Sequence, residues 1–175
     1  MVHYRRNLVP GGTYFFTVAL QNRSVDWLIT YVHLLRGAFR KARNQRPFIV
    51  DAIVILPDHL HCVWTLPQGD ADYAQRWRTV KGNFSHTLNK AGIARTRNGK
   101  GELDVWQRRF WEHTIRDEAD FDTHVNYIHY NPVKHGVAAR VTDWPHSSFH
   151  RFVKLGLIDA AWAGDSNVSE ISFGE

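Results

Sequence analysis

Apolar residues crowd four short stretches of the chain and recur at helical spacing in three longer ones. Thr13 to Leu20, just after a Pro10-Gly11-Gly12 turn, is dense in aromatic and β-branched side chains and predicts a buried first strand. From Asp26, a residue suited to an N-cap, to about Asn44, apolar positions recur at Leu28, Val32, Leu35 and Phe39, the period of an amphipathic helix. Phe48 to Leu56 and Leu60 to Leu66 read as two strands meeting at a Pro57-Asp58 turn. A second helix is predicted over about 70–91, with Tyr73, Trp77, Val80, Phe84 and Leu88 on one face. Trp106 to Ile115 is a fourth strand candidate. Asp117 to Asn131 is a third helix, started by Asp117 and Glu118 and ended or kinked by Pro132.

The resulting order, β-α-β-β-α-β-α, contains the split βαβ arrangement of an α+β, ferredoxin-like fold: an antiparallel sheet with helices on one face. A chain of 175 residues, 43% of them hydrophobic, can bury one real core, so a single domain is expected over 1–160. Residues 161–175 are polar and acidic enough to predict a disordered tail.

Charge and composition narrow the partners. The formal net charge is +5, most of the positive residues are arginine, and seven Trp, six Tyr and ten Phe offer flat surfaces for bases. That is the composition of a nucleic-acid binder, although many enzymes share it. Arg36, Arg40 and Arg43 lie on the polar side of the first helix, as a solvated face or a DNA contact. The aperiodic basic segment Gly92 to Asp104 reads as a loop that either closes over a polyanion or stays solvated. Cys62 is the single cysteine, so no intramolecular disulfide forms. No apolar run is long enough for a signal peptide or a bilayer span, and a cytoplasmic protein without membrane contact is expected.

Two patterns carry candidate chemistry. His59 and His61 alternate about Leu60 in a strand, so both imidazoles share one face while Leu60 enters the core. They form either a metal-binding pair or an ordinary polar strand face. On the third helix, Phe121, Val125 and Ile128 form the sheet-packing stripe at about 100° per residue, and Asp120, His124, Tyr127 and Asn131 form a second stripe on its flank. Tyr130 falls on the far side, toward solvent. Asp120 and His124 read most simply as a solvated i,i+4 pair. A tyrosine, an amide and two imidazoles sharing a site would suit metal-assisted attack on a phosphodiester, with Mg²⁺ or Mn²⁺ held by His59, His61 and Asn131.

Four motifs together resemble the REP-associated tyrosine transposases, single-tyrosine members of the HUH endonuclease superfamily. They are Leu56-Pro57-Asp58-His59-Leu60-His61-Cys62-Val63-Trp64, Trp106 to His113, Tyr127-Ile128-His129-Tyr130-Asn131-Pro132-Val133-Lys134-His135-Gly136, and Asp143 to Phe149. The resemblance runs from about Tyr4 to Leu157. It implies that His59 and His61 are the paired metal ligands, Tyr127 the nucleophile, and Asn131, His129 or water the third ligand. It implies cleavage of single-stranded DNA beside a REP-type hairpin, leaving a 5′-phosphotyrosine and a free 3′-OH, and rejoining of strands. Expected DNA contacts are Arg5, Arg6 and the segment from His146 to Arg151, together with Arg76, Arg78, Lys81, Arg108, Arg109 and Lys134. The implied place of work is the nucleoid, as a monomer or homodimer. Two rivals remain: a non-catalytic binder of structured single strands, and a domesticated factor that processes chromosomal REP elements.

Overall fold

The computed structural model describes residues 7–164 and 172–174, so Arg5 and Arg6 lie outside the described residues. Four strands, β1 (Thr13–Ala19), β2 (Ile49–Ile55), β3 (His59–Thr65) and β4 (Trp111–Thr114), form one sheet in the order β2-β3-β1-β4, antiparallel at every junction. The helices are α1 (Trp27–Thr30), α2 (Val32–Gln45), α3 (Tyr73–Lys90), α4 (Glu118–Lys134) and α5 (Phe149–Lys154). The first predicted helix is therefore two, divided at Tyr31, whose ψ of 33° leaves the helical region. The fourth predicted strand shortens to β4. Trp106 makes only an isolated bridge to Leu20, and the chain then turns Phe110 into the core before pairing resumes. Among the described residues no helix is long and apolar enough to cross a membrane.

The α+β, ferredoxin-like class holds, with one correction: the helices do not share a face. Tyr14, Phe16, Val18, Leu60, Cys62 and Trp64 point to a core built with α2 and α3, where the Trp64 and Trp77 rings stack at 4.2 Å. Phe15, Ala52, Val54 and Val63 point the other way and are covered by Val125, Tyr127 and Ile128 of α4. The reason lies in β1 and β3, which are buried at nearly every position and carry apolar residues on both faces: Tyr14, Phe16, Leu60, Cys62 and Trp64 on one, Phe15 and Val63 on the other. A strand of that kind has two faces to remove from water.

α4 begins as expected. Asp117 caps it, its carboxylate accepting from the Asp120 amide at 2.8 Å. It does not end at Asn131, however. Pro132 lies inside the helix, where it and Asn131 are both buried, although the proline cannot make the helical hydrogen bond. The helix closes instead at Gly136, whose φ of 65° lets Val137 donate to the Pro132 carbonyl and Gly136 to that of Val133. Beyond it, a strap from Trp144 to Ser148 runs along the free edge of β2. The Ile55 amide donates to the His146 carbonyl (2.9 Å), the Ser148 amide to the Ile53 carbonyl (2.8 Å), and the Trp144 indole to the Ile55 carbonyl (2.9 Å).

Candidate active site

The β2–β3 turn sets the position of the two histidines. The Leu56 amide donates to the His59 carbonyl, and the Pro57 and Asp58 carbonyls accept from Leu28 and Leu20, which fixes the Pro57-Asp58 turn to two other elements. From there His59 and His61 project from β3 toward α4, rings 5.0 Å apart, while Leu60 enters the opposite core. Both imidazoles are buried, at 2% and 0% exposure.

Each ring is oriented through its Nδ1. His59 Nδ1 lies 2.8 Å from Asp58 Oδ1, and Arg23 bonds the other carboxylate oxygen. Burial alone would raise the Asp58 carboxyl, but the bonds from His59 and Arg23 outweigh it and hold it at about 2. An ionised carboxylate accepts only, so Nδ1 of His59 carries the proton. The Arg23 guanidinium, 3.2 Å from that nitrogen, is engaged with Asp58, since two donors do not bond each other. His59 Nε2 is left as a bare lone pair, buried and without a hydrogen-bond partner among the described residues. Burial, partly countered by Asp58, pushes the His59 pKa below its ordinary value and favours this neutral form.

His61 follows the same logic through Thr17. The Thr17 hydroxyl spends its single proton on the Phe173 carbonyl (2.5 Å), so across the 2.8 Å contact it accepts from His61 Nδ1. In the neutral ring this leaves Nε2 of His61 as the nitrogen available to a ligand. Two imidazoles with a carboxylate and a hydroxyl behind them match the way metal-binding histidines are supported.

Tyr127 reaches this place from α4. Its ring centroid is 5.2 Å from that of His61, it is fully buried, and Lys134 lies above it, the ammonium 3.4 Å from the hydroxyl and 4.9 Å from the ring centroid. Asn131 is fully buried one turn further along the same helix. The stripe that periodicity placed on a flank thus lies under the helix, against the sheet, because the second apolar face draws α4 directly over the histidines. Tyr130 is half-buried and has Gly164 against its ring, rather than either histidine.

Other assignments change. His129, the alternative third ligand, is fully buried elsewhere: its Nε2 lies 3.1 Å from Ser148 Oγ and its ring packs on Phe149 and Phe152. Burial lowers its pKa to about 4. Asp120 and His124 are no solvated pair. His113 Nε2 lies 2.8 Å from Asp120 Oδ2 and His124 Nδ1 3.2 Å from Oδ1, and the three side chains could hold a cation, their ligand atoms lying within 4.8 Å of one another. Burial would raise Asp120, but hydrogen bonds from His113 and Arg116 hold it at about 2. Phe173, within the stretch expected to form a disordered tail, packs on Trp111, His124 and Tyr127 at 5.8, 4.3 and 4.9 Å.

The basic candidates divide. Arg76 is 1% exposed, with its guanidinium bonded to Asp70, to the Asp72 carbonyl and to the Pro47 carbonyl, so it holds the fold together and does not reach DNA. Arg78, Lys81 and Arg108 line a cleft of about 640 Å³ with Trp77, Trp106 and Phe110. Arg109 is exposed near it, whereas Lys134 belongs to Tyr127. His146 and Arg151 lie on the far side of the sheet edge, against β2.

Sequence reasoning missed His135. Its ring is 4.9 Å from that of His59, and the two line a cavity of about 310 Å³ with Arg23 and Asp58. Its spacing, four residues beyond Asn131 and eight beyond Tyr127, was the available signal.

No protein-family model matches the chain. It is 47% identical over 175 residues, 100% of this chain and 98% of the relative, to a REP-associated tyrosine transposase of Escherichia coli (strain K12). It is 44% identical over 170 residues, 96% of this chain and 97% of the relative, to a protein of Haemophilus influenzae described as a putative REP-associated tyrosine transposase. A solved structure of a REP-associated tyrosine transposase bound to a REP hairpin superposes with a TM-score of 0.88 at 47% identity, covering 100% of this chain and 98% of that one. With histidine pair and tyrosine brought together as described, and relatives matched over nearly their whole length, the chain belongs to the family of REP-associated tyrosine transposases.

Proposed function

We propose that the protein is a metal-dependent endonuclease and strand transferase acting on single-stranded DNA beside REP-type hairpins, through a 5′-phosphotyrosine on Tyr127. The observation that carries the reading is the approach of Tyr127 to His61, 5.2 Å between rings, with both histidines turned by their Nδ1 partners to offer Nε2.

His59 and His61, with Asn131 as the third ligand, fit a divalent ion. Two neutral imidazoles and an amide oxygen suit Mn²⁺ and admit Mg²⁺. Such an ion, when bound, supplies positive charge to a non-bridging phosphate oxygen. Asp58 and Thr17 keep the two rings from turning, and Lys134 places its ammonium beside the Tyr127 oxygen, where negative charge would develop. In the cleavage step the phenol gives up its proton to solvent, its oxygen forms a bond to phosphorus, and the bond from phosphorus to O3′ breaks. The electron pair leaves on O3′, which takes up a proton to become the free 3′-OH. The reverse attack by a 3′-OH on the phosphotyrosine rejoins strands, because the ester bond has been conserved. In this reading residues 1–160 are one HUH domain, and the protein works in the cytoplasm on nucleoid DNA.

The test is incubation with a labelled oligonucleotide carrying a REP hairpin and Mn²⁺, followed by denaturing electrophoresis. A covalent adduct is expected with the parent protein and none with Tyr127→Phe, whose DNA binding stays near parental. An adduct that survives in Tyr127→Phe and vanishes in Tyr130→Phe would overturn the assignment.

A further inference from the structure

A cleft of about 660 Å³ lies between α2 and the free edge of β2, away from the histidines and Tyr127. Its floor is apolar: Leu35, Phe39, Phe48 and Ile55 are all buried, at 0%, 9%, 3% and 6% exposure. Its rim is cationic. Arg36, Arg40 and Arg43 are spaced along one stripe of α2, and Arg151 faces them from α5. Among the described residues no carboxylate lines the cleft and none of the four guanidinium groups is within ion-pair distance of one, although Arg151 acts on the Asp51 carboxyl beside it.

The walls are held in place. Arg43 donates to the Phe48 carbonyl at 3.2 Å, and Arg151 donates to the carbonyls of Val50 and Asp51. The strap bonds to β2 along Ile53–Ile55 and brings Pro145, His146 and Ser147 to the mouth of the cleft. His146 Nδ1 is buried there without a hydrogen-bond partner among the described residues. An apolar slot ringed by arginines, with a volume within the ~300–1,000 Å³ of ligand pockets, has a specific chemical complement. That complement is a flat heteroaromatic ring with a polar edge, carried on a chain of phosphates.

We propose that this cleft receives a single unpaired nucleotide of the DNA strand, its base on the apolar floor and its flanking phosphates on Arg36, Arg40 and Arg151. Forked guanidinium contacts to phosphate supply charge neutralisation, and the slot supplies the preference for an unpaired base over a stacked one. The inference rests on the reading of the protein as a DNA enzyme, but it concerns binding alone and leaves the chemistry at Tyr127 untouched.

The experiment uses the full chain and a hairpin oligonucleotide with 2-aminopurine placed in turn at each unpaired position. The parent protein should change the probe's fluorescence sharply at one position. Arg36→Ala with Arg40→Ala, two exposed residues, should abolish that change, weaken Kd about tenfold and reduce the salt slope of binding by about 1.4, near 0.7 for each lost phosphate contact. Lys41→Ala with Lys90→Ala, which removes equal charge outside the cleft, should keep the probe signal and stay within about twofold of parental Kd. Parental Kd, slope and probe signal in the arginine variant would overturn the inference. So would a cleft that binds free dTMP with loss in the arginine variant while oligonucleotide binding is unchanged. Adduct formation on Tyr127 by the parent protein is scored separately, so a failure of the cleft and a failure of the enzymatic reading give different results.

Discussion

Asp58 is the group on which the orientation of His59 depends, and replacing it by Asn separates its two roles. Asparagine keeps the size of the side chain but offers a neutral amide where the ionised carboxylate accepted from His59 Nδ1 and from Arg23. Holding the carboxyl at about 2 rather than the usual 3.8 corresponds to about 1 to 2 kcal/mol of stability at neutral pH, once solvent screening at its 16% exposed side chain is allowed for. Because the folded-state pKa is depressed, that contribution is present above about pH 3.8 and is lost as pH falls toward 2. Losing a carboxylate behind a metal-binding imidazole typically weakens metal affinity by about 10- to 100-fold, since the ring turns and its Nε2 becomes less basic. Calorimetric titration with Mn²⁺ reads the second effect and urea denaturation without metal reads the first. Arg23→Ala, which leaves the carboxylate on His59, should lose stability while keeping most of the Mn²⁺ affinity. If Asp58→Asn binds Mn²⁺ as the parent does, the argument that Asp58 presents the Nε2 of His59 fails.

Arg76→Ala should destabilise the fold by about 1 to 3 kcal/mol, because it removes three hydrogen bonds and empties the space of a buried side chain, yet leave the salt slope of DNA binding unchanged. A reduced slope in a folded Arg76→Ala protein would return that residue to the DNA surface. His129, held neutral with a pKa of about 4, makes stability fall as pH drops from about 6.5 toward 4, by up to about 3 kcal/mol. Urea midpoints across that range should flatten in His129→Leu relative to the parent, and an equal slope in both would show that His129 is not the group responsible.

What could be read beforehand was set by local periodicity. The alternation about Leu60 put His59 and His61 on one face, and 100° per residue put Tyr127 and Asn131 on one stripe, because both relations span only a few residues. What depended on strand register could not be read the same way. Thr17 meets His61 only because β1 and β3 pair Thr17 with His61, a relation across 44 residues. The placing of α4 over the histidines could not be read from spacing either, because it depends on the second face of the sheet, where Phe15, Val54 and Val63 are buried against Val125 and Ile128. Arg76 looked like its neighbour Arg78, and nothing in spacing distinguishes a guanidinium that folds back on Asp70 from one that faces solvent. His135 fell outside the helix expected to end at Asn131, so the proline misplaced it.

The strap along β2 bears on how copies of the chain meet. An exposed sheet edge is a template on which another strand can pair, through backbone groups that are identical in every molecule. Here the amides of Ile53 and Ile55 already donate to Ser148 Oγ and the His146 carbonyl, and both of their carbonyls are taken as well. Extending the sheet into a second copy through this stretch would first require peeling the strap away, and with it one wall of the arginine-rimmed cleft. The chain thus guards itself against edge-to-edge aggregation with the same few residues that shape a binding surface, and a substitution that loosens the strap exposes it to both losses at once.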